Sequence, residues 1–323
     1  MKFGIELGSA SMNEMVKVSQ AAEQAGFSTV WMADHVPAYG WRDPFIAMTA
    51  IGMNTEHIRL GCGVANPYSR HVATTGVAFA SMADLLGERL VLGMGAGGTL
   101  PLRPLNIEMW NRPATALRES VQVLRQLFDG VPVDFKGEVI PFVNTRLFGK
   151  YSIPVYIGTR GPALSKLAGQ IADGIILNPP LDALPTYIEK VQEGLKESGR
   201  DKIEVIEFVP VAVSDKGKVE GVKSTVAILI PTTPSWALEM INAVESAAKI
   251  AEVIKTDRPR AAGMIPEHLV KSFAISGTVR SCIEQIEAIQ AHVDELVALY
   301  LPSTAEVLEM ISMFKKHIIP SFE

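Results

Sequence analysis

The sequence predicts an α/β protein, a (β/α)8 TIM barrel with a mostly helical insertion between strands 7 and 8. From the first residues to about residue 180, short β-rich runs alternate with amphipathic stretches of helical spacing. The β-rich runs are apolar throughout, as is typical of parallel strands whose faces are covered by crossover helices. Two later runs bring the number of strands to eight, which is the number that closes a barrel of βα units.

Eight runs have the composition of strands, and each is bounded by turn residues or by a helical stretch. The first, KFGIEL, begins at Lys2, and the third, IRLGCGVA, contains two glycines. The seventh and eighth, EVIEFVPVAV and ELVALYLP, combine valine with aromatic residues, which favours strands. The predicted strands cover residues 2–7, 28–35, 58–65, 89–97, 153–158, 173–178, 204–213 and 295–302.

The stretches between these runs repeat apolar residues at helical spacing, and several carry terminal signals. Gly26 ends the first helix, Pro113 lies in the first turn of a later one, and Gly130 ends that helix. The segment 133–142 fits a short hairpin. The predicted helices cover 12–26, 43–54, 72–87, 112–130, 162–172 and 304–318.

The long connection between the seventh and eighth strands is mostly helical in pattern, for example at 234–254. We interpret about 215–290 as an insertion that lies on the face formed by the carboxyl ends of the strands, where the βα loops gather. The whole chain, 1–323, is then a single barrel domain, because barrels of about 250 residues with insertions form one unit.

An open, doubly wound sheet is the alternative fold, and the glycines of GMGAGG at 93–98 favour it. A dinucleotide fingerprint of the GxGxxG type opens a helix in the first βα unit. Here the glycines follow the fourth strand, and Pro101 and Pro104 lie where the helix would start. These positions argue against dinucleotide binding.

The composition argues against several classes of partner. The 323 residues carry a net charge of −5 with scattered lysine and arginine, so nucleic acid is not expected. The first strand begins at once and no apolar run approaches the ~20 residues of a membrane span, which predicts a cytoplasmic protein without membrane association. Cys62 and Cys282 are isolated, and the histidines lack HExxH or HxH spacing. No metal site is therefore predicted.

Unusual residues are concentrated at the predicted carboxyl ends of the strands, where barrel enzymes place their active sites. Gly61 and Gly63 interrupt a strand, which indicates a bulge or the close approach of a ligand. A glycine-rich rim suits a flat or phosphorylated ligand that lies against backbone amides. The residues at these ends are Glu6, Asp34, His35, 61–66, 95–98, 158–161 and Asn178.

Few of these residues can carry chemistry themselves. Glu6 is either a paired structural carboxylate or, if it faces the barrel mouth, an acid whose pKa burial raises and which can transfer a proton. Asp34 and His35 fit an ordinary turn pair as well as a functional one. The sequence has no GxSxG motif for a nucleophile. We therefore expect a bound cofactor to carry the reactive atom.

Several segments together resemble the bacterial luciferase-like superfamily, and within it the deazaflavin-dependent branch, most closely the methylenetetrahydromethanopterin reductases. The likeness runs continuously over about residues 1–180. It rests on KFGIEL, ADH, LGCGVANPYSRH, LVLGMGAGG, RPATALRESVQVLRQLFDG and IPVYIGTRGPALSKLAGQIADGIILN.

The resemblance implies a barrel that binds coenzyme F420 at the strand carboxyl ends and passes a hydride between the deazaflavin ring and a substrate carbon. It implies a cis peptide bond without proline in a bulge at the end of the third strand, which by position is Gly63–Val64. Glu6 matches a family glutamate on the substrate side of the ring, so it is the predicted catalytic residue.

The resemblance also implies which residues bind the coenzyme. The residues expected against the ring are Asp34, Gly61, Cys62, Gly63, Val64 and Asn66, with His35 next to Asp34. The residues expected along the ribityl and phosphate portion are Gly95, Ala96, Gly97, Gly158, Thr159, Arg160 and Gly161, and Ile176 and Asn178 line the same cleft. Arg160 is the predicted counter-charge for the anionic tail.

Two segments depart from the reductase pattern. Ala96-Gly97-Gly98-Thr99 replaces a Gly-Pro-Gly-Asp sequence and lacks its acid. Near the end, LYLPSTAE at 299–306 replaces a loop that contains glycine and proline. Both regions could contact the pterin or the coenzyme tail, so the class of reaction is better supported than the named substrate.

The leading hypothesis is an F420-dependent oxidoreductase that converts a methylene group to methyl on a one-carbon-carrying, pterin-type substrate. An FMN-dependent monooxygenase of the same superfamily is the alternative, and a non-catalytic flavin or deazaflavin binder is a third hypothesis. By analogy with barrel enzymes of this kind, a homo-oligomer is also predicted.

Overall fold

Eight parallel strands close into a barrel in the computed structural model, which describes residues 1–8, 10–35, 42–98, 102–214, 220–299 and 303–323. Around the barrel the order is β1, β2, β3, β4, β7, β8, β9 and β11, which pairs again with β1. The strands are β1 Lys2–Leu7, β2 Thr29–Met32, β3 Arg59–Ala65, β4 Leu90–Gly95, β5 Val133–Phe135, β6 Val143–Thr145, β7 Val155–Gly158, β8 Gly174–Leu177, β9 Glu204–Val213, β10 Ile275–Gly277 and β11 Glu295–Leu299. The predicted (β/α)8 barrel is confirmed.

Helices cover the outside of the barrel and fill most of the connection between β9 and β11. They are α1 Met12–Ala25, α2 Pro44–Gly52, α3 Val72–Leu86, α4 Pro113–Phe128, α5 Pro162–Ile171, α6 Leu184–Ser198, α7 Glu220–Leu229, α8 Ser235–Met240, α9 Val244–Val253, α10 Arg258–Gly263, α11 Glu267–Phe273, α12 Val279–Ile289 and α13 Thr304–Met313. The first helix has a capping box at Ser11 and ends at Gly26 in the left-handed conformation, as the sequence predicts.

Several element boundaries differ from the prediction. The helix predicted over 234–254 is two helices, α8 and α9, because Asn242 between them has φ 53° and cannot continue a right-handed helix. The hairpin pairs Val133–Phe135 with Val143–Thr145, so it extends three residues beyond the predicted range. The last helix ends in a π-helical turn at Phe314–Ile318. Strand β11 ends at Leu299, and residues 300–302 of its predicted range lie outside the described part of the chain.

Strand β10 is absent from the prediction. Its three residues pair with Val211–Val213 at the end of β9, whereas β11 pairs with residues 206–210 earlier in β9. A strand of three residues is too short to show an alternating pattern in the sequence. The helices α7 to α11 pack around their own apolar cluster, which includes Val226, Ile250 and Leu269. The mostly helical character of this segment is thus observed, and its description as an insertion within a single domain stays a prediction.

Apolar side chains pack on both sides of the barrel wall, one layer inside the barrel and the other between the barrel and the helices. In β1, Phe3, Ile5 and Leu7 join the core between barrel and helices, so the alternation of side chains turns Gly4 and Glu6 inward. The interior cluster consists of Trp31, Val91, Tyr156, Ile176, Ile206, Phe208 and Val297.

A polar network closes the amino-terminal end of the barrel. Glu204 accepts hydrogen bonds from Lys2 Nζ at 2.9 Å and Arg59 Nη1 at 3.2 Å, and Tyr156 donates to it. Burial opposes ionisation of Glu204, but the bonds from Tyr156 and Lys2 and the charge of Arg59 lower its pKa to about 2. Glu204 thus pairs with both cations at this end, as expected for the stabilising end of a barrel.

Apolar side chains remain exposed on the outer faces of α2 and α3. Ile46 and Leu85 are 65% and 62% exposed, and a groove between the two helices is lined by Phe45 and Met82. Exposed apolar patches often mark interaction sites, but the oligomeric state stays a prediction. No helix in the described ranges has the length and apolar character to cross a membrane.

The glycine at position 61 is required by the protein's own packing, which gives a first testable prediction. A Cβ at this position would lie 2.2 Å from Cε3 of Trp31. We expect Gly61→Ala to lower the free energy of unfolding by about 1–3 kcal/mol, the usual range for overpacking a core. Urea unfolding followed by circular dichroism measures it. Gly263→Ala is the matched control, because a Cβ there meets nothing within 4 Å; equal stability loss in both variants would contradict the prediction.

Candidate active site

The carboxyl ends of the barrel strands form a mouth, and Glu6 near the end of β1 points into it. The Glu6 side chain is buried, and its Oε2 has no hydrogen-bond partner among the described residues. Burial raises the pKa of Glu6 to about 8. Another inward-facing acid, Glu295, differs because it accepts hydrogen bonds from Thr29 Oγ1 and Trp31 Nε1, both at 3.2 Å. Glu6 is therefore an uncompensated acid that holds a proton at neutral pH.

The pKa of Glu6 leads to a second prediction, on stability. Because burial raises this pKa from 4.5 to about 8, the folded protein binds the proton more tightly than the unfolded chain does. The resulting stabilisation is complete below pH 4.5 and is lost as the pH rises through about 8. We expect Glu6→Gln to make the decline of the unfolding free energy between these pH values shallower, as measured by urea unfolding at several pH values. A variant with the wild-type slope would show that Glu6 is solvated.

The end of β3 has the bulge and the cis peptide bond that the resemblance implies. The register of β3 against β4 shifts between Cys62 and Ala65, and the Gly63–Val64 bond is cis. Gly63 and Val64 are partly exposed at the mouth, whereas Cys62 is fully buried in the core between barrel and helices. Burial raises the pKa of the Cys62 thiol well above its usual value. Any contact of Cys62 with a ligand would thus be made by its backbone.

Two of the rim glycines make room for Val64. A Cβ at Gly95 would lie 2.4 Å from Val64 Cγ2, and one at Gly158 would lie 2.5 Å from Val64 Cγ1. By contrast, a Cβ at Gly161 would meet nothing within 4 Å. Gly97, with φ 75°, is exposed and lies against the Tyr68 ring. The glycines therefore shape the mouth in different ways, and only part of the rim is open backbone.

Asp34 is held by an arginine that the sequence analysis did not select. Arg70 Nε donates to Asp34 Oδ2 at 2.8 Å, and Arg70 Nη2 donates to Asp43 Oδ2 at 2.6 Å. Asp43 also caps α2 through the amides of Phe45 and Ile46. The Asp34 side chain is only 2% exposed. The signal available in the sequence was an arginine and two aspartates in loops that join neighbouring βα units.

The remaining predicted residues at this side of the mouth have local roles. The Asn66 side chain accepts hydrogen bonds from the amides of Tyr68 and Ser69, which fixes the turn after β3. His35 is partly buried, and burial together with the charge of Arg160 lowers its pKa while Asp34 opposes this shift. Tyr68 and Trp110 stack with ring centroids 4.4 Å apart next to Gly97. This aromatic pair was also missed, because Tyr68 was not selected within LGCGVANPYSRH and Trp110 lies outside the segments that carry the resemblance.

The opposite side of the mouth contains Arg160, in the loop after β7. Its Nη2 donates to Asn178 Oδ1 at 3.0 Å, and its Nη1 donates to Thr232 Oγ1. Asn178 in turn donates to the carbonyl of Phe208. No Asp or Glu in the described ranges forms an ion pair with Arg160, and burial lowers its pKa. The structure thus brings together Arg160 and Asn178, and adds Thr232, which the sequence analysis missed.

The other predicted contacts lie between these groups. Thr159 Oγ1 accepts from the Gly161 amide at 3.0 Å, and the Thr159 amide donates to the Ile176 carbonyl at 3.1 Å. The Ile176 side chain belongs to the interior cluster. Ala96 is partly exposed at the end of β4, and Thr99 after it lies outside the described residues. Within the described ranges, no group of three or more His, Cys, Asp or Glu side chains could hold a metal ion.

Comparison with known proteins identifies the family. A family model described as luciferase-like monooxygenase matches residues 2–295. The chain belongs to the luciferase-like family. It is 31% identical to the 5,10-methylenetetrahydromethanopterin reductase of Methanopyrus kandleri over 100% of this chain and 99% of the relative. It is 32% identical to the enzyme of the same name from Archaeoglobus fulgidus, over 100% of both chains.

A solved structure supports the same assignment. The coenzyme F420 dependent tetrahydromethanopterin reductase from Methanopyrus kandleri matches this luciferase-like barrel with a TM-score of 0.91 and 28% identity, over 100% of this chain and 99% of that one. The likeness therefore extends over the whole chain and not only over residues 1–180, where the sequence resemblance was recognised. The predicted family is confirmed, whereas the assignment of individual residues to a ligand stays a prediction.

Proposed function

We propose that this luciferase-like protein is a coenzyme F420-dependent oxidoreductase that transfers a hydride between the deazaflavin and a one-carbon-carrying pterin. The relatives that match its full length are named 5,10-methylenetetrahydromethanopterin reductase. The observation that carries the proposal within the chain is Glu6, a buried and unpartnered acid at the barrel mouth. An orphaned acid at this position suits a reaction in which a substrate nitrogen must be protonated.

The residues at the mouth fit a deazaflavin with an anionic tail. The backbone at Gly63 and Val64 is partly exposed, and the cis bulge places it at the end of the barrel wall. Gly161 leaves open space, and Arg160 has no carboxylate partner among the described residues. A flat ring can therefore lie on bare backbone, while a phosphate group can approach a cation.

In the proposed mechanism, hydride transfer takes place at the coenzyme, and the protein supplies the proton. When bound, F420 supplies the carbon that donates or accepts the hydride. Glu6 remains protonated at neutral pH because its pKa is about 8, so it can protonate the pterin nitrogen that releases the methylene bridge. The low exposure of Glu6 keeps water from competing for this proton. The residues of the mouth would hold the coenzyme and the pterin next to each other, and such positioning of two reactants lowers the barrier to transfer.

A second candidate function follows from the description of the family model, which is luciferase-like monooxygenase. A barrel mouth of this shape could hold reduced FMN in place of the deazaflavin, with oxygen as the second substrate. In that case, the role of Glu6 would be to handle protons on an oxygenated substrate. A protein that binds either cofactor without turnover is the third possibility.

One set of assays separates these functions. Purified protein is mixed with reduced F420 and methylenetetrahydromethanopterin, and the visible absorbance of the oxidised deazaflavin is followed. We expect substrate-dependent oxidation. Parallel titrations measure the affinities for F420 and FMN by fluorescence quenching. Tight FMN binding without any oxidation of reduced F420 would refute the proposal in favour of the monooxygenase, and F420 binding without turnover on any pterin would indicate a binding protein.

A further inference from the structure

One aromatic side chain crosses the barrel interior and packs beneath the bulge of β3. Phe208 belongs to β9, which is the fourth strand from β3 around the barrel, after β4, β7 and β8. In a barrel of eight strands, β9 therefore lies opposite β3. A Cβ built on Gly63 would nevertheless lie only 3.1 Å from Phe208 Cζ. The Phe208 ring thus extends across the interior to the inward side of the bulge.

Trp31 of β2 contacts the bulge beside Phe208. A Cβ on Gly63 would lie 3.2 Å from Trp31 Cε3, and the rings of Trp31 and Phe208 meet edge to face with centroids 5.5 Å apart. Both distances to the added Cβ are shorter than the optimal separation of two carbon atoms. The bulge therefore packs directly on the two rings, with no room for a larger side chain between them.

The backbone of Phe208 is fixed on both sides. On one side it is in register with Val297 of β11. On the other side, β8 has ended at Leu177, and the Asn178 side chain donates a hydrogen bond to the Phe208 carbonyl. Because its backbone is held and its ring packs against Trp31 in a dense interior, the Phe208 ring has little freedom to move.

The same layer of side chains lies beside the candidate acid. Glu6 of β1 is in register with Trp31 of the adjacent β2, and both side chains face the barrel interior. Trp31 is therefore a neighbour of Glu6 as well as of the bulge. A change in this layer would alter the position of the bulge relative to Glu6.

We propose that Phe208 is a positioning residue for hydride transfer, because its ring holds the Gly63–Val64 backbone at the height that the deazaflavin ring requires. A flat ligand can follow a displaced backbone and keep its contacts. The transfer step instead requires close alignment of the donor and acceptor carbons, so a small displacement slows the reaction more than it weakens binding. This inference rests on the proposed function, because F420 supplies the ring.

The first test shortens the Phe208 side chain. Single-turnover oxidation of reduced F420 by methylenetetrahydromethanopterin is followed by stopped-flow absorbance for wild type and Phe208→Leu, and the F420 dissociation constant is measured by fluorescence titration. We expect the rate constant of transfer to fall about 10–100-fold, with little change in the dissociation constant. The induced circular dichroism of bound F420 is expected to change, because it depends on how the ring lies against the protein.

Phe3→Leu is the matched control for this substitution. Phe3 is also buried and meets Phe314 edge to face, with centroids 5.6 Å apart, but it lies in the core between barrel and helices. We expect a comparable loss of stability in urea unfolding, together with the wild-type transfer rate and the wild-type dichroism of bound F420.

A second test addresses the contact between Gly63 and Phe208. Gly63→Ala places a methyl group against the Phe208 ring and is expected to slow transfer by displacing the bulge away from the ring. In the double variant Gly63→Ala with Phe208→Leu, this methyl group occupies space that the ring has left. The combined loss of rate is therefore expected to be smaller than the product of the two single losses.

The possible outcomes separate this inference from the proposed function. If Phe208→Leu transfers hydride at the wild-type rate, or if the two losses multiply in the double variant, the inference is wrong while the proposed function stands. If Phe208→Leu and Phe3→Leu slow transfer equally, the loss comes from general destabilisation and the inference is again wrong. If wild type binds F420 without turnover, the proposed function fails, and the dichroism then decides whether Phe208 positions the ring. If wild type does not bind F420, both fail.

Discussion

Glu6→Gln is expected to lower kcat by about 10²–10⁴-fold while coenzyme affinity is retained, because it removes the proton that general acid catalysis requires and little else. Glutamine has nearly the same shape as protonated glutamic acid, and the buried site holds that neutral form, since the pKa of Glu6 is about 8. Steady-state kinetics and a fluorescence titration of F420 measure the two quantities. In wild type, kcat is expected to fall as the pH rises through about 8, and this decrease should be absent from the residual activity of the variant.

Glu207→Gln is the matched control for this experiment. Glu207 is also fully buried, lacks hydrogen-bond partners among the described residues and has a pKa that burial raises. It pairs in register with Leu177 and Leu296, which face the helices, so its side chain lies outside the barrel wall. We expect wild-type kcat in this variant. A similar loss of turnover in both variants would mean that the effect of Glu6→Gln comes from altered packing.

Arg70→Ala is expected to destabilise the protein by about 3 kcal/mol, because it leaves a buried carboxylate without its cation. The Asp34 side chain is 2% exposed, and Arg70 is its described ion-pair partner. The same substitution removes the contact between Arg70 and Asp43, as well as the guanidinium that lies 4.5 Å from the centroid of the Phe45 ring. Urea unfolding monitored by tryptophan fluorescence measures the loss.

Arg112→Ala provides the comparison for Arg70→Ala. Arg112 pairs with Glu138 on the surface, where the two side chains are 56% and 67% exposed, and exposed pairs contribute about 0–1 kcal/mol. The double variant Asp34→Asn with Arg70→Ala should recover part of the lost stability, because the buried charge is then absent. If Arg70→Ala costs no more stability than Arg112→Ala, the ion pair between Arg70 and Asp34 does not stabilise the fold as proposed.

Most strands and helices of the barrel could be predicted because the sequence patterns that specify them are local. The continuous apolar runs of parallel strands and the spacing of the helices are visible within windows of about ten residues. Terminal signals such as Gly26 and Pro113 marked helix ends correctly. The break at Asn242 and strand β10 were missed, because neither a left-handed residue nor a strand of three residues leaves a periodic signal.

The sequence identified some residues of the candidate site but not others, and it did not identify all of their contacts. The resemblance correctly placed the cis bond at Gly63–Val64. The glycines at 61, 95 and 158 were recognised as unusual, but the groups they accommodate are Trp31 and Val64 of the protein itself. Arg70 and Thr232 were not selected. Their partners lie 27 to 72 positions away in the sequence, and such pairs are set by the closing of the barrel.

The sequence by itself determined the class of fold, the family and the edge of the barrel at which the unusual residues lie, since strand order places every carboxyl end on one face. Only the tertiary structure decided which of the acidic residues have a hydrogen-bond or ion-pair partner. Asp34 has its arginine, Glu295 has two donors, and Glu6 has no described partner for one carboxyl oxygen. This difference depends on distances between side chains from separate strands, and burial without a partner is what raises the pKa of Glu6.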